Sequence, residues 1–194
     1  MAENTITAPR QILSGDSLEA QEKLSKLFWK FHPGQISSFK CGEKIHDVFE
    51  DNKTLKTDLV YLRMAEIWGT NSHCNRMKVG CLIVKDKSII SDGYNGSPSG
   101  FSNQCEDENN VTLPYVLHAE ANAITKLAKS TNSSEGSTVY ITASPCFECS
   151  KLIIQSGIKR VVFKDLYRKT ESLNFLSEAG IEIVRIGDTS EFSK

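Results

Sequence analysis

The sequence predicts an α/β protein in which one mixed sheet lies between layers of helices. Two apolar runs, residues 79–85 and 88–94, are separated only by Asp86 and Lys87, which is the pattern of a β-hairpin. After this hairpin, short apolar strands alternate with helical patterns to the end of the chain. A hairpin followed by alternating strands and helices favours a sandwich with a mixed sheet.

The first 56 residues are predicted to form an N-terminal extension that is partly helical. Apolar side chains recur at helical spacing over residues 18–31, and the pattern stops at His32-Pro33-Gly34. A second short helix is expected near Ile45–Phe49. We assign no function to the extension and expect it to pack on the main domain or on another subunit.

The main domain is expected to span residues 57–187 and to be followed by a short tail over residues 188–194. Its first helix is predicted to end near Gly69, just before the hairpin. Three helices and three strands then alternate, which brings the number of strands to five. The helices are predicted over residues 116–129, 146–156 and 171–179. The strands are predicted over residues 138–142, 161–164 and 181–186.

The composition is that of a globular protein and argues against several functional classes. Hydrophobic residues make up 39% of the 194 residues, and glycine raises this to about 45%, within the usual globular range. With 23 basic and 24 acidic residues, the chain has no basic surplus of the kind that nucleic-acid binders show. No apolar run approaches the roughly 18 residues of a membrane span, and the N-terminus has no apolar signal core. A cytoplasmic protein is expected, with its cysteines as thiols or metal ligands rather than disulfides.

Two short motifs contain the residues that typically hold a catalytic zinc ion. Cys146 and Cys149 lie three residues apart at the start of a predicted helix, so both sulfurs point to one side of one turn. The N-terminus of a helix favours the thiolate form that zinc requires. His118, near the start of another predicted helix, can supply an imidazole. Three protein ligands leave one tetrahedral position for water, as in catalytic zinc sites.

Glu120 is the candidate proton shuttle of this site. It lies two residues from His118, where its carboxylate can reach the water without binding the metal. A C-x-x-C pair alone is also found in redox pairs and structural zinc knuckles, but the chain lacks a second such pair and has the histidine and glutamate. The combined pattern H-x-E…P-C-x-x-C is typical of zinc-dependent deaminases.

Four motifs of the chain together resemble those of deoxycytidylate (dCMP) deaminases. In order, they are Cys74-x-Arg76-x-x-Val79-Gly80, the loop Gly93-Tyr-Asn-Gly-Ser-Pro-Ser-Gly100, His118-Ala-Glu-Ala-Asn-Ala-Ile124 and Ser144-Pro-Cys-Phe-Glu-Cys149. The resemblance runs from residue 57 to 186 and leaves the extension uncovered. It implies the three-layer cytidine-deaminase fold with a five-stranded sheet. It also implies hydrolysis of dCMP to dUMP and ammonia, which supplies thymidylate synthesis.

The resemblance also implies roles for individual residues. His118, Cys146 and Cys149 are expected to bind Zn²⁺, with Glu120 as the catalytic residue. Asn95 is expected to contact the deoxyribose or the phosphate. The phosphate of a nucleoside monophosphate needs cationic or N–H donors. The candidates for further substrate contacts are Arg76, Lys78, Ser144 and Tyr167. Solvated surface charges are the alternative for the two cations, and a packed loop aromatic is the alternative for the tyrosine.

Two further hypotheses rest on the resemblance. Members of this family are often allosteric homo-oligomers that dCTP activates and dTTP inhibits, and the Gly93–Gly100 loop is where such a triphosphate would bind beside Mg²⁺. A second, structural zinc site would use Cys74 and Cys105, with His73 as an adjacent ligand. Three candidates are one short of a closed tetrahedral site, so simple buried thiols are the equal alternative.

Other deaminations and a non-catalytic role are the competing functions. Adenosine deaminases that act on tRNA usually have Glu-Pro-Cys where this chain has Ser144-Pro145-Cys146, and cytidine deaminases usually have Cys in place of His118. Deamination of CMP or dCTP stays open, because the choice of dCMP rests on resemblance alone. An inert, zinc-stabilised binding module would be expected to have lost Glu120 first.

Overall fold

The structure is a computed structural model that describes residues 36–39, 52–167 and 171–187. The helices expected over residues 18–31 and 45–49 and the tail over residues 188–194 lie outside these ranges. Within them, no helix combines the length and the apolar character that crossing a membrane requires.

Six strands in the described ranges form one sheet, which four helices cover. The strands β1 to β6 are, in chain order, Ile36–Phe39, Gly80–Lys85, Ser88–Tyr94, Thr138–Ala143, Arg160–Asp165 and Glu182–Ile186. The helices α1 to α4 are Asn52–Gly69, Ala119–Leu127, Phe147–Gln155 and Glu171–Glu178. Across the sheet the strands follow the order β1-β6-β5-β4-β2-β3.

The sheet is mixed, as the sequence predicts. Strand β2 pairs antiparallel with β3 and with β4, whereas β4, β5 and β6 run parallel to one another. The hairpin turns at Asp86 and Lys87, whose φ angles of 49° and 63° give the backbone twist that suits a two-residue hairpin. The five predicted strands and their alternation with helices are confirmed.

Strand β1 is an addition that the sequence analysis did not predict. It pairs antiparallel with β6 at the edge of the sheet, with Ile36 opposite Ile186. Its four residues, Ile-Ser-Ser-Phe, form neither an apolar run nor an alternation of apolar and polar residues, so the sequence does not mark a strand there. The N-terminal extension therefore supplies one strand of the main sheet, and α1 begins at Asn52 rather than at residue 57.

Each face of the sheet has its own hydrophobic core. Helices α2, α3 and α4 cover one face, where alternate strand residues such as Ile83, Ile141 and Phe163 are fully buried. Helix α1 covers the other face, where Leu62 packs against the opposite set of strand residues. The three-layer sandwich is thereby confirmed. Cys81 belongs to the first core, and burial raises the pKa of its thiol well above the usual value.

A buried polar network ties α1 to the sheet. Asp58 of α1 receives two hydrogen bonds from the Arg160 guanidinium, at 2.8 and 2.6 Å, and one from the Tyr140 hydroxyl at 2.7 Å. Burial opposes the charge of Arg160, but the bonds to Asp58 outweigh it and raise the pKa of the guanidinium. Burial and the Asp58 charge together raise the pKa of Tyr140. The network keeps a full ion pair inside the second core.

Candidate zinc and catalytic site

The predicted metal ligands lie at the N-termini of two neighbouring helices. His118 immediately precedes α2, and Cys146 immediately precedes α3, both with extended backbone. Cys149 lies in the first turn of α3, and its backbone N–H donates to Cys146 Sγ at 3.5 Å. Pro145 comes just before this turn, where a missing N–H removes no helical hydrogen bond.

Glycine at position 93 allows α2 to lie close against β3. A Cβ at Gly93 would stand 2.2 Å from the Ala119 carbonyl oxygen and 2.7 Å from the Ala123 nitrogen. The same helix accepts a 2.6 Å hydrogen bond from Ser91 Oγ at the Ala123 carbonyl. The Asn122 side-chain amide donates to the Tyr94 carbonyl at 2.9 Å. These contacts fix the first turn of α2 relative to the sheet.

The three ligand atoms have spacings that fit a zinc ion. His118 Nδ1 lies 3.4 Å from Cys146 Sγ and 3.4 Å from Cys149 Sγ, and all three atoms fall within 4.8 Å of one another. Tetrahedral zinc with standard bond lengths would place a nitrogen and a sulfur ligand about 3.6 Å apart. Two thiolates and an imidazole are also a donor set that suits zinc. Among the described residues, no other group of three or more His, Cys, Asp or Glu side chains is so placed.

The pKa values of the two site thiols shift in opposite directions. A hydrogen bond from the Cys149 thiol lowers the pKa of Cys146, and a further one from His118 acts in the same direction. The same bond, together with burial, raises the pKa of Cys149. Since zinc binds both cysteines as thiolates, metal binding releases any proton that these thiols carry.

Glu120 is buried in the first turn of α2, outside the group of ligand atoms. Burial raises the pKa of its carboxyl group to about 7, although a backbone hydrogen bond and the His118 charge oppose the shift. A carboxyl group that titrates near neutrality can both accept and donate a proton in one reaction cycle. This placement suits the predicted proton shuttle.

A pocket of about 240 Å³ opens over these residues. Arg76 and Lys78 are both exposed, but only Arg76 lines the pocket, so the structure separates the two candidate cations. The pocket brings together the site residues and four of the five predicted substrate contacts: His118, Glu120 and Cys146 with Arg76, Asn95, Ser144 and Tyr167.

Several of the predicted substrate contacts also hold the pocket wall in place. The Asn95 side chain accepts the Val79 N–H and donates to the Met77 carbonyl, both at 2.8 Å. Ser144 Oγ accepts the Tyr167 N–H at 2.8 Å, which anchors the segment after β5 to the segment after β4. Asn95 and Ser144 therefore order the backbone on opposite sides of the pocket.

The expectation of a second zinc site at Cys74, Cys105 and His73 is wrong for this structure. Cys74 and Cys105 form a disulfide, so their sulfurs are not thiolate ligands, and His73 is exposed. The expectation that the cysteines are thiols or metal ligands is likewise wrong for this pair. The two cysteines are 31 residues apart, and a pairing over that distance depends on Cβ positions that only the fold defines.

Glu106 lines the pocket but was not among the predicted residues. It is 8% exposed, and its Oε1 accepts the N–H groups of Asn75 and Arg76 at 3.1 and 3.2 Å. Nothing in the local pattern distinguishes it from the neighbouring acidic residues Asp107 and Glu108, since its role follows from burial against a turn 30 residues away.

Known proteins show the same combination of sequence and fold. The family model described as the cytidine and deoxycytidylate deaminase zinc-binding region matches residues 55–165. A deoxycytidylate deaminase of Saccharomyces cerevisiae is 33% identical over 69% of this chain, and a probable deoxycytidylate deaminase of Caenorhabditis elegans is 38% identical over 77%. The chain spans 46% of the yeast protein and 73% of the nematode protein.

A solved structure is similar to the same part of the chain. The dCMP deaminase of cyanophage S-TIM5, in complex with dCMP and dUMP, is 43% identical with a TM-score of 0.66. The match covers 71% of this chain and all of the phage chain. Because the family model spans more than half of the sequence and includes His118, Glu120, Cys146 and Cys149, the chain belongs to the cytidine and deoxycytidylate deaminase family.

Proposed function

We propose that the protein catalyses the zinc-dependent hydrolysis of dCMP to dUMP and ammonia. The observation that carries the proposal is the group of His118, Cys146 and Cys149 beside the buried Glu120, in one pocket with Arg76. The similarity to a phage protein described in complex with dCMP and dUMP supports the choice of nucleotide. The product would supply thymidylate synthesis.

The chain's own chemistry centres on Glu120. Zn²⁺, when bound by the three ligands, supplies a Lewis acid that makes water a stronger nucleophile at neutral pH. Glu120 takes a proton from the attacking water and donates it to the pyrimidine ring nitrogen N3. The C4–O bond forms in this addition. A second proton then passes from the new hydroxyl group through Glu120 to the amino group, so that the C4–N bond breaks and ammonia leaves.

The pocket walls would bind the rest of the nucleotide. Arg76 supplies a guanidinium that can make charge-assisted hydrogen bonds to the phosphate. Asn95 lines the same pocket as His118, and its side chain would contact the deoxyribose or the phosphate. Tyr167, which Ser144 holds in place, would close the side of the pocket after β5.

Regulation and assembly form a further part of the proposal. By its resemblance to the family loop, the Gly93–Gly100 loop is proposed to bind dCTP as an activator or dTTP as an inhibitor, with Mg²⁺, in a cytoplasmic homo-oligomer. Cooperative dCMP kinetics that respond to either triphosphate would support this. Hyperbolic kinetics that neither triphosphate changes would contradict it.

The proposed function is tested by ammonia release from a panel of substrates. Purified, zinc-loaded protein is assayed with dCMP, CMP, deoxycytidine, cytidine and dCTP, each with and without low concentrations of dCTP or dTTP. Turnover of dCMP with the highest kcat/KM is expected. Preferred turnover of CMP or dCTP would overturn the choice of nucleotide, and no turnover of any of the five would favour a tRNA substrate or an inert zinc module.

A further inference from the structure

The Cys74–Cys105 disulfide lies at the wall of the pocket, and the deamination chemistry does not use it. Cys74 lines the pocket beside Arg76, and both cysteines are 2% exposed. The disulfide joins the turn that precedes β2 to the segment that follows the Gly93–Gly100 loop. It therefore connects two pieces of chain that share no strand pairing.

Hydrogen bonds next to the disulfide fasten the same turn. Glu106, adjacent to Cys105, accepts the backbone N–H groups of Asn75 and Arg76 through its buried carboxylate. On the other side, Ser72 Oγ accepts the Cys74 N–H at 3.2 Å and donates to the Asn95 carbonyl at 2.7 Å. The backbone around Cys74 is thus held both by the segment containing Cys105 and by the loop containing Asn95.

The side chain of Arg76 is held from the same segment. Its Nη1 donates to Thr112 Oγ1 at 3.1 Å. Thr112 pairs with Glu106 through an isolated β-bridge, and the Leu113 N–H donates to the Cys105 carbonyl at 2.9 Å. Arg76 therefore depends on the 105–113 segment for both its backbone and its guanidinium, and the disulfide is the covalent link between them.

The zinc ligands depend on different elements. His118 and Glu120 are placed by α2 and its contacts with β3, whereas Cys146 and Cys149 are placed by α3. Breaking the disulfide would leave these helices in place and loosen the wall that carries Arg76. The expected effect is on nucleotide binding rather than on the zinc site.

We propose that Cys74–Cys105 is a reversible thiol–disulfide site that sets the affinity of the pocket for a nucleoside monophosphate. The oxidised pair holds Arg76 for phosphate binding, and the reduced pair releases it. Reduction by a dithiol breaks the S–S bond and transfers two electrons and two protons, which leaves two cysteine thiols and converts the dithiol to its disulfide. This inference rests on the proposed function, because it takes the pocket ligand to be a nucleotide.

Thermodynamic linkage gives the proposal a second, reciprocal consequence. If the oxidised form binds the nucleotide more tightly by some factor, bound nucleotide must disfavour reduction of the disulfide by the same factor. Cys74 also lines the pocket that the nucleotide would occupy, so a bound nucleotide would further slow the approach of a reductant.

The test measures binding of the product dUMP to the full-length, zinc-loaded protein by calorimetry, before and after reduction with a dithiol under anaerobic conditions. Thiol alkylation of the denatured protein, read by mass spectrometry, is expected to modify Cys81, Cys146 and Cys149 in both forms, and Cys74 and Cys105 only after reduction. The Kd for dUMP is expected to rise about tenfold on reduction, as loss of one charged phosphate contact would produce. The zinc content should stay unchanged, and dUMP should slow the reduction.

Two variants distinguish the effect of reducing this disulfide from effects of the dithiol on the other cysteines. The double variant Cys74→Ser/Cys105→Ser is expected to bind dUMP like the reduced wild type and to be insensitive to the dithiol. Cys41→Ser is the matched control and should keep the full response. Equal Kd values for oxidised and reduced protein would overturn the inference alone, as would six free thiols in the protein as isolated. No binding of dUMP to either form would overturn the proposed function as well.

Discussion

Arg76 and Lys78 show how the fold separates residues that the sequence treats alike. They carry the same charge in the same turn before β2, yet only Arg76 lines the pocket and is held there by Thr112. Lys78 is exposed outside the pocket. A cation near the phosphate strengthens binding before and during the reaction, so its loss acts mainly on KM.

Replacing Arg76 by Gln is therefore expected to raise the KM for dCMP by about tenfold or more, with kcat within about threefold of the wild type. Lys78→Gln is the matched control and is expected to leave both constants nearly unchanged. Steady-state kinetics with dCMP measures both. An equal rise in KM for the two variants would mean that general surface charge, and not the pocket guanidinium, attracts the nucleotide.

The sequence predicts candidate site residues where the chemistry restricts the residue types. His118, Cys146, Cys149 and Glu120 were predicted because few residues bind zinc or move protons, and their local spacing places them on helix turns. Glu106 and the Cys74–Cys105 bond were not predicted, because each depends on a contact between segments about 30 residues apart, which the fold alone brings together.

At the level of elements, the site depends on how closely α2 can approach β3. The backbone atoms of Ala119 and Ala123 occupy the space that a side chain at Gly93 would need. Any Cβ there must push the helix away from the sheet and move His118 and Glu120 with it. The spacing of the zinc ligands is therefore set by a residue that does not touch the metal.

The variant Gly93→Ala is accordingly expected to reduce zinc occupancy and to lower kcat/KM by about 100-fold, as displacements of about 1 Å in catalytic groups do. Gly187→Ala is the control, because a Cβ at Gly187 would meet no atom within 4 Å. Metal analysis and dCMP kinetics measure the two effects. If Gly93→Ala kept the zinc content and the kinetics of the wild type, α2 would be able to shift without disturbing the zinc ligands or Glu120.

The Asp58 network acts on the attachment of α1 rather than on the reaction. The Asp58 side chain is 3% exposed and the Arg160 side chain 18% exposed. Loss of the Asp58 charge leaves this guanidinium with its 3.3 Å ion pair to Glu182 as the remaining salt bridge. Asp58→Asn is expected to lower the free energy of unfolding by about 3 kcal/mol. Urea unfolding measures this change.

The half-exposed ion pair of Lys126 with Asp92 provides the comparison for Asp58. Lys126→Gln is expected to change the free energy of unfolding by less than about 1 kcal/mol. A similarly small effect of Asp58→Asn would mean that water reaches Arg160 and replaces the carboxylate.

On the scale of the whole molecule, the sequence predicts the order of strands and helices but not the full width of the sheet. The hairpin and the alternating pattern that follows it define five strands, because each of those segments contains an apolar run or an apolar–polar alternation. Strand β1 is recognisable only through its pairing with β6, since Ile-Ser-Ser-Phe is neither an apolar run nor an alternating segment. Residues 36–39 of the extension therefore belong to the sheet, although the family model begins only at residue 55.

Metal binding should couple the site to the stability of the whole domain. The three ligands come from two helices, and a zinc ion held by the folded state alone stabilises that state by mass action. Removal of zinc with a chelator is expected to lower Tm by on the order of 5–10 °C. Zn²⁺, and not Mg²⁺, should restore it, because thiolates favour the softer ion.

Differential scanning calorimetry of the chelated and reconstituted protein measures this shift. An unchanged Tm after verified loss of zinc would mean that the ligand helices are fixed entirely by their packing. Recovery with Mg²⁺ would contradict the assignment of the site to the two thiolates and the imidazole.

The most direct test compares the conversion of dCMP to dUMP and ammonia by the wild-type protein and by Glu120→Gln, at equal and measured zinc content. Gln keeps the size of the side chain but cannot carry a proton, so turnover is expected to fall by about 10³-fold while zinc stays bound. Turnover of dCMP by the wild type and its loss in the variant would establish deamination with Glu120 as the proton shuttle. Two results would contradict this mechanism: turnover of dCMP by Glu120→Gln at the wild-type rate, or no turnover of dCMP by the zinc-loaded wild type.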